Sequence, residues 1–139
     1  MGSKTFFDTN VLVYLYDVHE PKKSRSAKSA LAATAPSDLV LSTQVLQEFY
    51  WIVTRKLDPP LSPAAAALQI TELARHSVVN IDVPLILRAV ARATSDCIAF
   101  WDGLIVEAAL RAGCAMLFTE DLQDGRDFDG LRVMNPFVS

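Results

Sequence analysis

Lys4-Thr5-Phe6-Phe7-Asp8-Thr9-Asn10-Val11-Leu12 changes character at Asp8. Lys4 to Phe7 reads as a short strand. Asp8-Thr9-Asn10 is a run of helix-capping residue types, and Val11, Leu12 and Leu15 follow at helical spacing. Asp8 therefore stands at a strand-to-helix junction, where its carboxylate projects from the carboxyl edge of whatever sheet the strand joins. It can be a ligand there or simply cap the helix, and Thr9 or Asn10 are alternative caps.

The same alternation continues outward from this junction. Pro21 suits the first turn of a helix running to about Ala35, and Pro36-Ser37-Asp38 breaks it ahead of a strand at Leu39–Leu41. Ser42 caps a helix whose apolar positions Val45, Leu46, Phe49, Tyr50, Ile52, Val53 and Leu57 leave Gln44, Glu48 and Arg55 on another side. After the rigid Asp58-Pro59-Pro60 turn, Ser62-Pro63 starts a helix to about Arg75. A strand at Val78–Ile81, a helix from about Pro84 to Thr94 and a helix at Phe100–Arg111 follow, the last stopped by Gly113. Cys114–Thr119 is a near-continuous apolar strand, and Leu131–Met134 adds a short final one. Such alternation predicts an α/β fold: a mainly parallel sheet with helices on both faces, and binding sites beyond the carboxyl ends of the strands.

The 139 residues fit one domain, 1–139, with no repeat and no linker long enough to divide it. Hydrophobic residues make up 51% and charged residues 21%, the composition of a packed globular protein. Cys97 and Cys114 form no Cys-x-x-Cys pattern, so a reducing compartment is expected. The start shows no secretory signal, and the apolar runs fall short of the ~20 residues a bilayer crossing needs. A cytoplasmic protein without membrane association is the expectation. Net charge is −3, which on its face opposes nucleic-acid binding, although Lys22, Lys23, Arg25 and Lys28 concentrate positive charge in one segment. Lys22, Arg25 and Lys28 recur every three residues and could follow an RNA backbone; an ordinary solvated helix face is the simpler reading.

Four acids carry the chemical argument. Asp8 ends the first strand. Glu48 rides mid-helix within Gln47-Glu48-Phe49-Tyr50-Trp51, and an acid among aromatics is costly to bury unless paired, protonated or bound to a cation. Asp102 lies in the first turn of its helix, where the dipole favours an ionised carboxylate. The fourth comes from the loop after Thr119, where Glu120, Asp121, Asp124, Asp127 and Asp129 crowd together; Asp121 is preferred and Glu120 is its nearest rival. Each acid alone has an ordinary structural explanation. Together they place hard oxygen donors at strand and helix ends, a set that suits Mg²⁺ or Mn²⁺ rather than zinc. His19 and His76 have no sequence partner suggesting a histidine mechanism. Trp51 and Trp101 adjoin the acids and could stack on an unpaired base, but core packing is the expectation for both.

As a set these segments resemble the PIN-domain ribonucleases, and particularly the VapC toxins of bacterial toxin–antitoxin pairs. The matching stretches are Phe6–Leu12, Ser42–Phe49, Phe100–Ala109, Leu117–Gly125 and the ending Leu131–Phe137, in order along essentially the whole chain. Gly103 stands where alanine is frequent, and Ala99 where serine often caps the helix. The resemblance implies that Asp8, Glu48, Asp102 and Asp121 form the acidic site, that Asn10 orients an acid or water, and that Thr119 contributes a hydroxyl. It further implies Mg²⁺- or Mn²⁺-dependent RNA hydrolysis leaving a 5′-phosphate and a 3′-hydroxyl, a homodimer, and a small antitoxin partner. Two competing readings remain at this stage. A haloacid-dehalogenase-type phosphatase also uses an Asp after its first strand, but wants a second acid where this chain has Asn10. A non-catalytic metal- or RNA-binding module would hold a structural ion, especially in the loop from Asp121 to Gly130, although those acids do not follow the EF-hand order.

Overall fold

The computed structural model describes residues 3–138. Six strands form one sheet in the order β3-β2-β1-β4-β6-β5. These are β1 (Thr5–Phe7), β2 (Leu39–Ser42), β3 (Ser77–Val79), β4 (Met116–Phe118), β5 (Asp127–Phe128) and β6 (Leu131–Met134). All neighbours run parallel except β5, which pairs antiparallel with β6. The helices are α1 (Thr9–Tyr14), α2 (Pro21–Ala32), α3 (Thr43–Arg55), α4 (Pro63–Leu73), α5 (Val83–Asp96) and α6 (Phe100–Arg111). The α/β alternation expected from the sequence is thus present, with boundaries shifted by a few residues.

Local chemistry sets the element ends. The Ser42 and Ser62 hydroxyls accept from the N–H groups of Val45 and Ala65 to start α3 and α4, and the Asp82 carboxylate accepts from Leu85 N–H to start α5. Consecutive strand side chains point to opposite faces, yet Phe6, Phe7, Val40 and Leu41 are all fully buried, so the sheet is covered on both sides. The short β5 was not expected. Asp129 and Gly130 both adopt positive φ (53° and 97°), which is the backbone a tight Asp-Gly hairpin requires.

The α5–α6 pair is unusually close: a Cβ added at Gly103 would lie 2.9 Å from the Ala89 carbonyl oxygen. A side chain at this position would press on the α5 backbone, so the close crossing favours glycine. Arg92 of α5 clamps the pair. It donates to Glu107 on α6, to Asp96 at 2.8 Å, and to Asp129 in the hairpin turn at 2.9 Å.

The connectivity fixes where a site can form. From β1 the chain steps to β2 and β3 on one side, whereas β4 and β6 lie on the other. The order reverses between β1 and β4, and the crevice beyond their carboxyl ends is the natural binding position in an open parallel sheet. Asp8 follows β1 there, and Thr119-Glu120-Asp121 follows β4.

Candidate active site

The first acid is anchored on both oxygens. Asp8 donates its N–H to the Phe118 carbonyl (3.0 Å), tying the ends of β1 and β4 together. Its Oδ1 accepts from Thr9 N–H at 2.7 Å and its Oδ2 from the Thr119 hydroxyl at 2.8 Å. Asp8 therefore caps α1 itself, a role the sequence also allowed to Thr9 or Asn10. The two readings of this residue are compatible, because one oxygen serves the cap while the other faces Thr119.

Glu48 reaches the same region from α3. The Thr9 hydroxyl donates to its Oε1 at 2.7 Å, and Gln44 Nε2 donates to its Oε2 at 3.3 Å and to the Trp101 carbonyl at 3.3 Å. Gln44 is buried, and its Oε1 is the buried side-chain polar atom left without a partner among the described residues. Asp121 accepts from Asn10 Nδ2 at 3.0 Å, and its N–H donates to Thr119 Oγ1 at 3.1 Å. Thr119, fully buried, is the hub that joins Asp8 to Asp121.

Glu120 behaves differently. It accepts from the Tyr14 hydroxyl at 2.9 Å and from Lys23 Nζ at 3.1 Å, with Lys23 also donating to Tyr14. The other loop acids are occupied in building the hairpin: Asp124 accepts from Asn135 N–H, Asp127 from Gly130 N–H, and Asp129 pairs with Arg92. Asp121 is the loop acid whose carboxylate accepts from Asn10 and whose N–H reaches Thr119, whereas Glu120 meets Asn10 only through its backbone N–H, which donates to Oδ1 at 3.4 Å.

The electrostatics follow from this crowding. Burial pushes the Asp8 carboxyl up to about 7, with the Asp121 and Glu48 charges adding to it and the hydrogen bonds from Thr119 and Thr9 opposing. Asp102, half-buried in the first turn of α6, is also raised, first by burial and then by Asp121 and Glu48. Ala99 supplies no side-chain cap to α6. Asp121 is raised by burial and by Glu120 and Glu48, against the Asn10 hydrogen bond. Thus Asp8, Asp102 and Asp121 hold protons more tightly than free carboxylates do.

A cavity of about 610 Å³ opens over Asp8, Thr9, Asn10, Glu48 and Asp121, continuing onto Val13, Tyr14, Trp51, Ile52 and Lys56. Among the described residues no three acids, histidines or cysteines stand close enough to form a preassembled ion cage. Asp8, Glu48 and Asp121 border the space instead, and Asp102 is not among the residues that line it. The donor set fits a divalent cation on two grounds: all its members are hard oxygens, and the groups hydrogen-bonded to Asp8, Glu48 and Asp121 are neutral, leaving their charge uncompensated.

Other sequence candidates lie elsewhere. Lys22, Arg25 and Lys28 are exposed on α2 and border shallow depressions with Tyr16, Asp17 and Pro136 rather than the acid-lined cavity. Lys23, off that stripe by one helical step, pairs with Glu120 beside the site, and Lys56 lines the cavity itself. Trp51 and Trp101 are 52% and 64% exposed, so the expectation of core packing was wrong for both. His19 sits 3.4 Å from Asp58 on the surface, and His76 Nδ1 lies 3.0 Å from the Pro36 carbonyl, both remote from the acids in sequence and contacts. Thr9, Gln44, Tyr14 and Lys23 were not anticipated as site residues. Gln44 carried one usable signal, its position one helical turn before Glu48.

This acid-bordered switch point on a mainly parallel sheet belongs to a known class: the PIN domain matches residues 5–128, and the chain is a member of that family. No curated protein matches the sequence significantly. Among solved structures, a toxin–antitoxin complex from Klebsiella pneumoniae superposes with a TM-score of 0.72 at 23% identity, covering 96% of this chain and 98% of that one. The sarcin-ricin loop cleaving toxin VapC20 of Mycobacterium tuberculosis gives 0.63 at 18% identity, covering 82% and 87%. DNA-bound VapBC from Salmonella typhimurium gives 0.64 at 16%, covering 97% and 99%. At these identities the likeness is one of fold.

Proposed function

We propose that the protein is a Mg²⁺- or Mn²⁺-dependent endoribonuclease that hydrolyses RNA phosphodiester bonds, and that it is the toxin of a toxin–antitoxin pair. The observation that carries this reading is the gathering of Asp8, Glu48 and Asp121, with Asp102 close enough to share their electrostatics, at the β1/β4 switch point of a PIN domain. Asp8 and Asp102 are the principal candidates to hold the cation, with Glu48 and Asp121 completing the set. When bound, the cation supplies Lewis acidity at the phosphodiester and stabilises charge developing on the leaving oxygen.

The chain's own residues do the rest. Thr119 and Thr9 hold Asp8 and Glu48 by hydroxyl donation, which fixes their orientation without neutralising them. Asn10 does the same for Asp121. Glu48 or Asp121 accepts the proton of the attacking water. The products carry a 5′-phosphate and a 3′-hydroxyl. Asn10 acts as a donor to Asp121, whereas a dehalogenase-type phosphatase needs an acid at that place, so no contact here favours that alternative. The fold of toxin–antitoxin relatives supports a small antitoxin partner, and a homodimer and cytoplasmic action are part of the same proposal. No helix is long and apolar enough to cross a membrane among the described residues.

The test is RNA cleavage by the purified protein with Mg²⁺ or Mn²⁺, with chelator and Asp102→Asn as controls. Cleavage lost in both controls is the expected result. Cleavage that survives either one would overturn the metal-dependent mechanism. Turnover of phosphomonoesters with RNA left intact would replace it with the phosphatase.

A further inference from the structure

The cavity over the acids is chemically two-sided. One end carries Asp8, Glu48 and Asp121; the other is walled by Val13, Ile52 and Trp51, with Lys56 at its margin. Trp51 leaves half its surface in water, an unfavourable position for a large aromatic unless something covers it. The Arg55 guanidinium lies 4.1 Å from the ring centroid, so one side of the indole is backed by a cation while the ring still borders the cavity. An acidic end for a cation-bridged phosphate, continuous with an apolar and aromatic wall flanked by Arg55 and Lys56, matches the two halves of a nucleotide.

Resting on the nuclease reading, we propose that Trp51 is a stacking platform for an unpaired base of the RNA next to the reacting phosphate. Trp51 and its Arg55 backing then make the site select single-stranded RNA, because a base within a duplex has both faces occupied by its neighbours and cannot lie on the indole. Glu48 and Trp51 are three residues apart on α3, so one rigid helix sets the distance from acid to platform. Lys56, which has no ion-pair partner among the described residues, is free to meet the RNA backbone.

The sequence contains two tryptophans, so Trp101→Phe leaves Trp51 as the sole indole emitter. Combined with Asp8→Asn to block cleavage, this full-length protein is titrated, without added metal, with three probes: a short unpaired oligoribonucleotide, its duplex, and an abasic oligoribonucleotide. Saturable quenching of Trp51 emission is expected with the first and not with the others. Trp51→Ala should weaken binding of the unpaired probe, followed by anisotropy of labelled RNA, by roughly tenfold or more, and Trp51→Phe should recover much of it. Circular dichroism checks that the variants are folded. Equal affinity for normal and abasic strands, or saturated binding without quenching, overturns the proposal. Unchanged affinity in Trp51→Ala also overturns it and leaves that wall to a protein partner. Cleavage by the otherwise native chain is measured in parallel: cleavage whose KM is unaffected by Trp51→Ala removes the platform alone, whereas quenching without any cleavage removes the nuclease reading alone.

Discussion

Replacing Asp8 by Asn should make the metal-free protein more stable while disabling the site. Asp8 is only 5% exposed, and its carboxyl is pushed from an ordinary 3.8 to about 7. A raised carboxyl means that the native state binds the proton more tightly than the unfolded chain does. The native state consequently loses stability as pH climbs from the unfolded value to the folded one: the cost is absent below about 3.8, grows through the interval, and is complete above about 7. The full displacement corresponds to about 4 kcal/mol, of which roughly 3 kcal/mol falls between about pH 5 and about pH 8. Asn retains an oxygen to accept from Thr9 N–H and keeps the side-chain shape, so the variant removes the charge with little change of packing.

Thermal or urea unfolding in chelator, run for both proteins across this pH interval, isolates the Asp8 contribution because the other titrating groups are common to both. The variant should gain on the native sequence as pH rises, reaching an advantage of up to about 10 °C in Tm at this chain length. Saturating Mg²⁺ should raise the Tm of the native protein at about pH 8 and scarcely move Asp8→Asn, since a ligand that binds the folded state stabilises it by mass action. A native protein whose stability holds level or increases relative to the variant from about pH 5 to about pH 8 would refute the argument that burial and neighbouring acids place an uncompensated charge on Asp8.

Two further outcomes follow from packing. Gly103→Ala gains about 1 kcal/mol of helix propensity but forces the α5 backbone from the contact at 2.9 Å, so a net loss of about 1 kcal/mol is expected in the urea midpoint; a gain would show that α5 yields freely. Arg92→Leu strands the nearly buried Glu107 carboxylate and should cost about 3–5 kcal/mol, whereas Arg92→Leu with Glu107→Leu should recover most of it. Equal instability of the single and double variants would assign the loss to packing instead of stranded charge.

The sheet, the helices and the placement of Asp8, Glu48 and Asp102 on their elements were legible because each depends on local pattern. Asp8 and Asp102 sit at element ends that capping residues and periodicity mark, and Glu48 lies on the polar side of an amphipathic helix. The fourth candidate was ambiguous for a physical reason: five acids in one loop look alike until hydrogen bonds set apart Asp121, which shares Asn10 and Thr119 with the crevice. Strand β5 escaped notice because two residues carry no periodicity, although Asp129-Gly130 was a hairpin signal. Trp51 was misread by composition when its phase was informative. Val45, Phe49 and Val53 form the buried stripe of α3, and Trp51 lies two residues from Phe49, on the opposite side. Lys23 could not be found by a search for basic stripes, because its partner Glu120 is 97 residues away.

The same chain handles its acids in two opposite ways. Asp82 is paired with Arg111 at 2.8 Å, and that hydrogen bond holds its carboxyl below the usual range. Glu107, Asp96 and Asp129 share Arg92. At the β1/β4 crevice the donors are instead hydroxyls, amides and a backbone N–H, and the adjacent Lys23 is engaged by Glu120. Neutral donors fix direction while leaving charge in place, so the negative potential of this pocket must be met by protons or by a cation from solution. That difference separates the acids that hold the fold from those proposed to do chemistry. It also makes the overall charge of −3 a poor guide to RNA, because the relevant sign is that of the occupied pocket and of the Arg55–Lys56 margin beside it.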